Sequence, residues 1–400
     1  FCAIIECQSI QDPLRAAEHQ PLTARNLLFQ NWVTMESSER APEKPAIDTE
    51  IGTKTPTWKD KVLLILLSIA VIGVILQITL GGVVRVSGSG DGCPDWPTCF
   101  GQIFPPLDQD TIDRLYDGPR PTTPRPHNVL LEYSHRSVGM LLGLAIIAAV
   151  IRVWMRHRAN KVVAWLTTAE LGLIFIVGML GGLLVLRDLD PAIRTVHLFL
   201  AEIVAFLGTM ALVAASYSRN GVAGSSSPWL WGRVSDEHRS ALKLAAIAGV
   251  LSLVALLSGS YAVWKEAGAV CASWPFCGGD FIPQSTQVWI HMTHRLLSFV
   301  AIVLVLIAGH RVWRLPNISG ALKTAAVASA FIIFAQMMMG AANPWTTFAV
   351  WARAGHLSLA TLVWVDMIFI VALLLRPVPG RDADAVPPAG SAETVSLKNS

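Results

Sequence analysis

The chain has 400 residues, 53% of them hydrophobic and 15% charged, with a formal net charge of +3 at pH 7 and a mean hydropathy of +0.50. A soluble core cannot hide that much apolar surface at so low a charge density, whereas a bilayer can. The scattered cations form no basic stripe interleaved with aromatics, which excludes a nucleic-acid binder, and 14 Trp against four Tyr suit anchoring at a membrane interface.

Residues 1–60 are polar and irregular, with Ser37, Ser38, Pro42, Pro45 and Pro56, and are expected to form a disordered cytoplasmic tail. They contain no long apolar run of the signal-peptide kind. Met35 is expected to be the true start, and Cys2 and Cys7 are given no role. Eight apolar stretches follow, near 62–84, 128–152, 162–186, 193–216, 241–264, 287–309, 322–342 and 351–375. Each is long enough to cross roughly 30 Å of hydrocarbon at about 1.5 Å per residue. The predicted fold is an all-α polytopic membrane protein, its eight transmembrane helices arranged as two pseudo-symmetric four-helix bundles.

The links after the second, fourth and sixth stretches hold Arg152, Arg156, Arg158 and Lys161; Arg219, Arg233, Arg239 and Lys243; and Arg311, Arg314 and Lys323. The alternate links hold fewer cations, chiefly Arg187, Arg194, Lys265 and Arg353. Positive charge is retained inside, so both termini are expected in the cytoplasm, and the long first loop and the 265–286 loop on the outer face. The halves are placed at 61–217 and 241–376, joined by a cytoplasmic linker over 218–240. Residues 377–400 are expected to form a second disordered tail.

The halves repeat one another, and spacing shows it better than identity does. Glu132-Tyr133-Ser134-His135-Arg136 aligns with His291-Met292-Thr293-His294-Arg295, and His197-Leu198 with His356-Leu357. The intervals 197 − 135 and 356 − 294 are both 62. Cys93-Pro94-Asp95-Trp96-Pro97-Thr98-Cys99 matches Cys271-Ala272-Ser273-Trp274-Pro275-Phe276-Cys277, and Pro105 and Pro283 follow each motif at the same distance. The Cys motifs are 178 apart and the histidines 159, so the first loop holds 19 extra residues, its Asp/Pro-rich stretch near Leu107 to Arg125. Two copies of a four-helix unit in parallel orientation account for this pattern.

His135, His197, His294 and His356 each lie a few residues in from the outer end of a predicted helix. An imidazole within a bilayer is costly unless a partner satisfies it. Two per half, at matching depth on the second and fourth helices of each unit, can face each other across a bundle core and hold a haem iron from both sides. The alternative is interhelical hydrogen-bond glue, which gives no reason for the repeated separation. Glu132 shares a helical face with His135, but its repeat mate is His291, so no carboxylate-based metal site recurs. No Cys-x-x-Cys-His occurs, so covalent haem attachment is not indicated. Arg136 and Arg295 could pair with haem propionates or could snorkel to the interface. Gln77, Glu170, Glu202, Gln336 and Asp366 show no matching repeat and are read as packing polars, and Gly181-Gly182 with Gly340 as close helix packing. On an oxidising face, Cys93–Cys99 and Cys271–Cys277 are expected as disulfides. The second pair is read as structural; for the first, a structural and a redox role both stand.

Taken together, these residues resemble the haem A synthase family: eight helices in two halves, Glu-Tyr-Ser-His-Arg on the second helix, paired Cys-x2-Trp-Pro-x-Cys loops and four histidines, over about residues 60–376. The resemblance implies an oxidoreductase that converts the C8 methyl of haem O to a formyl group, giving haem A for terminal oxidases. It implies haem b iron held by His294 and His356, and haem O as substrate bracketed by His135 and His197. Glu132 would act there as an acid–base or positioning group, and Cys93 and Cys99 would be the functionally sensitive pair. Retention of both Cys pairs resembles bacterial forms, hence a bacterial inner membrane, with lipid, haem O and the haem O synthase (a farnesyltransferase) as partners. The resemblance leaves the electron acceptor and the oligomeric state open, a homo-oligomer included. Two rivals remain: a di-haem b-type carrier linked to quinone, which needs the same histidines but gives no reason for Glu132 in one half only, and a transporter built from parallel repeats, which predicts polar residues at the midplane.

Overall fold

The computed structural model describes residues 60–118, 122–216, 236–277 and 285–376. The two expected tails, Met35, Cys2, Cys7, Pro283 and most of the expected linker lie outside them. Among the described residues there are nine helices and no strand: α1 (Lys61–Val86), α2 (Gln109–Leu115), α3 (Pro126–Arg156), α4 (Lys161–Leu186), α5 (Pro191–Ser216), α6 (Asp236–Trp264), α7 (Thr286–Trp313), α8 (Gly320–Trp345) and α9 (Val350–Leu374). All but α2 are long and apolar enough to cross a membrane.

The helices outrun the apolar stretches because their ends are built from caps and cations rather than hydrophobes. Pro126 stands in the first turn of α3, where its missing N–H costs nothing. Arg152 and Arg156 lengthen the other end, since long basic side chains can reach polar surroundings from within a helix. Asn160, Ser285 and Ser319 cap α4, α7 and α8 through their side chains. The described part of α6 reaches into the expected linker, where Asp236 and Glu237 complement the positive end of the helix dipole. The Asp/Pro-rich insertion is not wholly irregular: Asp108 accepts from the Thr111 N–H, and α2 buries Ile112.

In the first half α1 packs on α3 and α5, and α4 on α3 and α5; in the second, α6 packs on α7 and α9, and α8 on the same two. Thus α3 and α5 occupy diagonal corners of one bundle, and α7 and α9 those of the other. The halves meet where α9 lies against α1 and α5, and α5 against α6. The apolar core is concentrated toward the helix ends remote from the cysteine loops. It comprises Leu63, Leu67, Val153, Val163 and Ala211 in the first half, and Leu242, Val305, Val312, Leu322 and Ile370 in the second. Outward faces stay apolar along the spans, as Ile65, Ile72 and Leu76 on α1 and Phe331 and Phe334 on α8 illustrate. Such faces are suited to lipid.

Asp60 ties α1 to α3. Its carboxylate accepts the Val62 and Leu63 N–H groups, takes two bonds from Arg152 at 2.8 and 3.1 Å, and lies 2.8 Å from His157 Nε2. The bond from Arg152 is the main reason its pKa falls far below the ordinary 3.8, outweighing the opposite push of burial. A depressed carboxyl contributes stability above its unfolded pKa and loses it as pH falls through the folded one. This tie is therefore expected to hold throughout neutral pH and to fail only under strong acid. Asp60→Ala is expected to cost about 1 kcal/mol through the lost cap alone, read as a lowered melting temperature in detergent.

Candidate functional site

The four intramembrane histidines sit at matched depths. His135 and His294 lie nine and eight residues beyond the first residues of α3 and α7 (135 − 126, 294 − 286), and His197 and His356 lie six beyond those of α5 and α9. Each pair is therefore carried by the diagonal helices of one bundle, near the cysteine-loop end. The rings of His294 and His356 have centroids 6.3 Å apart and planes at 86°. Two imidazole nitrogens each about 2 Å from one metal would leave the centroids at about that spacing once the half-width of each ring is added. His135 and His197 lie within electrostatic reach of each other.

Each imidazole rests on a glycine. A Cβ at Gly81 would stand 2.9 Å from His135 Cε1, at Gly259 2.9 Å from His294 Cε1, at Gly340 3.0 Å from His356 Cε1, and at Gly181 3.4 Å from His197 Cε1. Gly81 and Gly259 are 178 apart, and Gly181 and Gly340 are 159 apart, the repeat offsets of their segments. So Gly181 and Gly340 do more than bring helix backbones together: they make room for rings. Gly182 does pack closely, but against the indole of Trp96.

Ser258 Oγ lies 2.9 Å from His294 Nδ1, and the Ala255 carbonyl accepts at 3.1 Å from the same nitrogen. The rings of His197 and His356 lie by the backbone of Val177 and Gln336, again 159 apart, and their Nδ1 atoms reach hydrogen-bond geometry with no group among the described residues. Together with His135 Nδ1 they are buried without a partner among the described residues. In His294, Nδ1 is committed to Ser258 and the Ala255 carbonyl, which leaves Nε2 as the nitrogen that would hold a porphyrin iron between the facing rings. Among the described residues no three His, Cys, Asp or Glu side chains gather as metal ligands. A surface cleft of about 450 Å³, lined by Leu183, Arg187, Asp188, Asp190 and Ile193 at the α4–α5 turn, contains none of these histidines.

Glu132 is buried, and its Oε1 accepts from Arg136 Nε at 2.9 Å. Its mate His291 is buried too, with Nδ1 2.8 Å from the Ala267 carbonyl. The disulfides Cys93–Cys99 and Cys271–Cys277 both form, and each loop contains a cis Trp–Pro bond. The two arginines after the first histidines serve these loops. Arg136 donates to the carbonyls of Asp95, Thr98 and Cys93 at 2.6, 2.7 and 3.2 Å; Arg295 donates to those of Pro275 and Ser273 at 2.7 and 2.9 Å. Their guanidinium groups are thus committed to backbone. Asp95 tightens the first loop by accepting from Thr98, Phe100 N–H and Gly101 N–H. Burial pushes its pKa up, but those bonds outweigh it, and the carboxyl ends below its ordinary value.

Of the residues read as packing polars, three make specific bonds. Glu202 Oε1 accepts from Thr361 at 2.6 Å, and the Glu202 carbonyl accepts from Trp364 Nε1 at 3.0 Å. Glu202 and Thr361 are 159 apart, so equivalent positions of α5 and α9 bond each other across the two halves. Asp366 accepts from Ser329 at 2.6 Å. Gln77 donates to the His135 carbonyl at 2.9 Å. Glu170 is buried with neither oxygen partnered among the described residues.

Fold and site define a class: an all-helical, multi-pass membrane protein made of two tandem bundles, each with a pair of intramembrane histidines. A model of the cytochrome oxidase assembly protein family COX15-CtaA matches residues 63–368, and the chain belongs to that family. It is similar to the heme A synthase of Shouchella clausii (strain KSM-K16), 25% identical over 315 residues, covering 76% of this chain and 94% of that protein. It is likewise similar to the heme A synthase of Alkalihalophilus pseudofirmus, 26% identical over 310 residues, 76% of this chain and 95% of that one. The heme A synthase of Staphylococcus aureus (strain bovine RF122 / ET3-1) is 20% identical over 329 residues, 82% and 98% of the two chains.

Proposed function

We propose that the protein is a haem A synthase, an oxidoreductase that converts the C8 methyl of haem O to a formyl group for cytochrome oxidase. The observation that carries this reading is the asymmetry of an otherwise repeated site: both halves pair two histidines on glycine seats, but only the first sets a carboxylate, Glu132, one helical turn from its histidine. A carrier of electrons through two equivalent haems needs no such group.

In this reading His294 and His356 hold the iron of a resident haem b, and His135 and His197 bracket haem O. A haem held by these two imidazoles would supply electron transfer. The chain does the rest. The two glycine seats of the first half set the depth of the His135 and His197 rings, and the apolar bundle would hold the macrocycle and its farnesyl chain with the methyl presented for reaction. Glu132 is fixed through Oε1 by Arg136, which leaves Oε2 to hold or pass a proton beside His135. Arg136 is itself fixed by three carbonyls of the Cys93–Cys99 loop, so the disulfide acts on Glu132 through Arg136. The cysteine loops face outward, the termini lie in the cytoplasm, and a bacterial inner membrane is the expected site.

Glu132→Ala is expected to leave the resident haem spectrum intact while haem A formation stalls, measured by pigment extraction after co-expression with a haem O synthase. Undiminished haem A would remove Glu132 from the chemistry; haem B alone from the unaltered protein would favour the carrier. The double change Cys93→Ser, Cys99→Ser is expected to lower haem A yield by about 10–100-fold, the usual cost of losing a supporting shell, again with resident haem retained.

A further inference from the structure

Arg136 spends all three guanidinium nitrogens, on Glu132 and three loop carbonyls, and Arg295 spends two, so the propionates of a bound porphyrin call for arginines with more nitrogens to spare, and the cysteine-loop end of the bundle supplies them. Arg194 and Arg353 are repeat mates, 159 apart, each three residues before the second histidine of its half and so on the same helical face, one turn nearer the helix end. Arg85 stands four residues after Gly81, one turn beyond the seat of His135 on α1. Arg85 stands between the other two, within electrostatic reach of both Arg194 and Arg353. Arg353 donates to the Val86 carbonyl at 2.9 Å, which carries it across to the first half. Arg194 donates to the Leu189 carbonyl, and the nearest carboxylate acting on it is Asp190. Among the described residues, none of the three forms an ion pair.

Three guanidinium groups gathered at a membrane interface repel one another unless an anion joins them. The repeat mate of Arg85 is Val263, so the cluster belongs to the first half rather than to both. We infer that Arg85, Arg194 and Arg353 bind the propionate carboxylates of the porphyrin seated between His135 and His197. This inference rests on the proposed function and deepens it: the first half recognises its substrate by the dianionic edge of the tetrapyrrole, and holding that edge fixes the C8 methyl, which shares a pyrrole ring with one propionate.

The test uses the purified full-length protein with its resident haem in place. It is titrated with haemin and, separately, with haemin dimethyl ester, whose carboxylates are blocked, and Soret absorbance is followed. The unaltered protein is expected to bind haemin about tenfold more tightly than the ester, the effect of one charge-assisted contact set. Arg85→Gln and Arg194→Gln are each expected to weaken haemin binding to the level of the ester while leaving ester binding unchanged. Arg85→Lys should restore part of the preference, and Arg114→Gln on α2 should preserve it. The resident haem spectrum reports whether each variant has folded. If the unaltered protein binds neither porphyrin, the paired-histidine reading fails. If it binds both alike, or if the Gln variants keep the preference, the arginine assignment is overturned while that reading stands. A kept preference combined with lost co-purifying phosphatidylglycerol would give the cluster to a lipid headgroup instead.

Discussion

Replacing His294 or His356 by Ala is expected to yield a folded, membrane-inserted protein without a low-spin b-type spectrum. The argument is geometric. The two rings lie 6.3 Å apart between centroids, on the diagonal helices α7 and α9, and each is braced from behind by a glycine. Removing one ring would leave a bound haem iron one histidine in place of two. Helix packing should survive, because the second-half core lies toward the other end of the helices, around Val305, Val312 and Ile370. Loss of bound haem should exceed the roughly 10–100-fold cost typical of a supporting residue. The measurement is pyridine haemochrome content and the reduced-minus-oxidised spectrum of the purified variant. An unchanged low-spin spectrum in either variant would move the resident haem away from this pair. His135→Ala and His197→Ala should spare that spectrum, which separates the halves experimentally.

Much of this arrangement can be read from the amino acids, for an identifiable reason. Hydropathy places eight helices because the bilayer demands about 20 apolar residues from every span. Equal spacing places the histidine pairs because a duplicated bundle keeps its internal distances. Helix ends differ from the apolar stretches by up to five residues because caps such as Asp60 and Ser285 and end cations such as Arg156 are local chemistry that a hydropathy window averages away. The destination of Arg136 and Arg295 is hidden for a deeper reason. Their acceptors are backbone carbonyls of Asp95, Thr98, Ser273 and Pro275, and carbonyls carry no residue identity. The contact between Glu202 and Thr361 is different: its two positions are 159 apart, so the repeat offset already marks them as equivalent. What the offset does not show is that α5 and α9 touch at the boundary between halves, which brings equivalent positions face to face. The glycine seats lie between these cases. Their offsets repeat, but only the packing of α1 on α3, α4 on α5, α6 on α7 and α8 on α9 shows that an imidazole fills each one.

Those seats carry the prediction with the least ambiguous sign. Within a helix, Gly→Ala ordinarily stabilises by about 0.5–1 kcal/mol, because alanine loses less backbone freedom on folding. At Gly172 and Gly178 of α4 a new Cβ meets nothing within 4 Å, and Gly178→Ala is expected to raise stability slightly with no effect on haem. At Gly259 the new Cβ would stand 2.9 Å from His294 Cε1, closer than packed carbon atoms approach, so the ring must move. Gly259→Ala is therefore expected to split two properties that usually change together, with the helix no less stable and haem affinity lowered about 10–100-fold, as for other lost ligand supports. Gly340→Ala, at 3.0 Å from His356 Cε1, should behave in the same way, whereas Gly181→Ala, at 3.4 Å from His197 Cε1, should be tolerated. The order of effect should thus follow the distances: Gly259 and Gly340 on the resident haem, Gly81 more than Gly181 on porphyrin taken up by the first half. Thermal melting of the detergent-solubilised variants, set beside haem titration of the same samples, checks both properties at once. Haem binding in Gly259→Ala equal to that of Gly178→Ala would mean that His294 does not depend on its seat, and that the ring pair is held at 6.3 Å by something other than the glycine behind it.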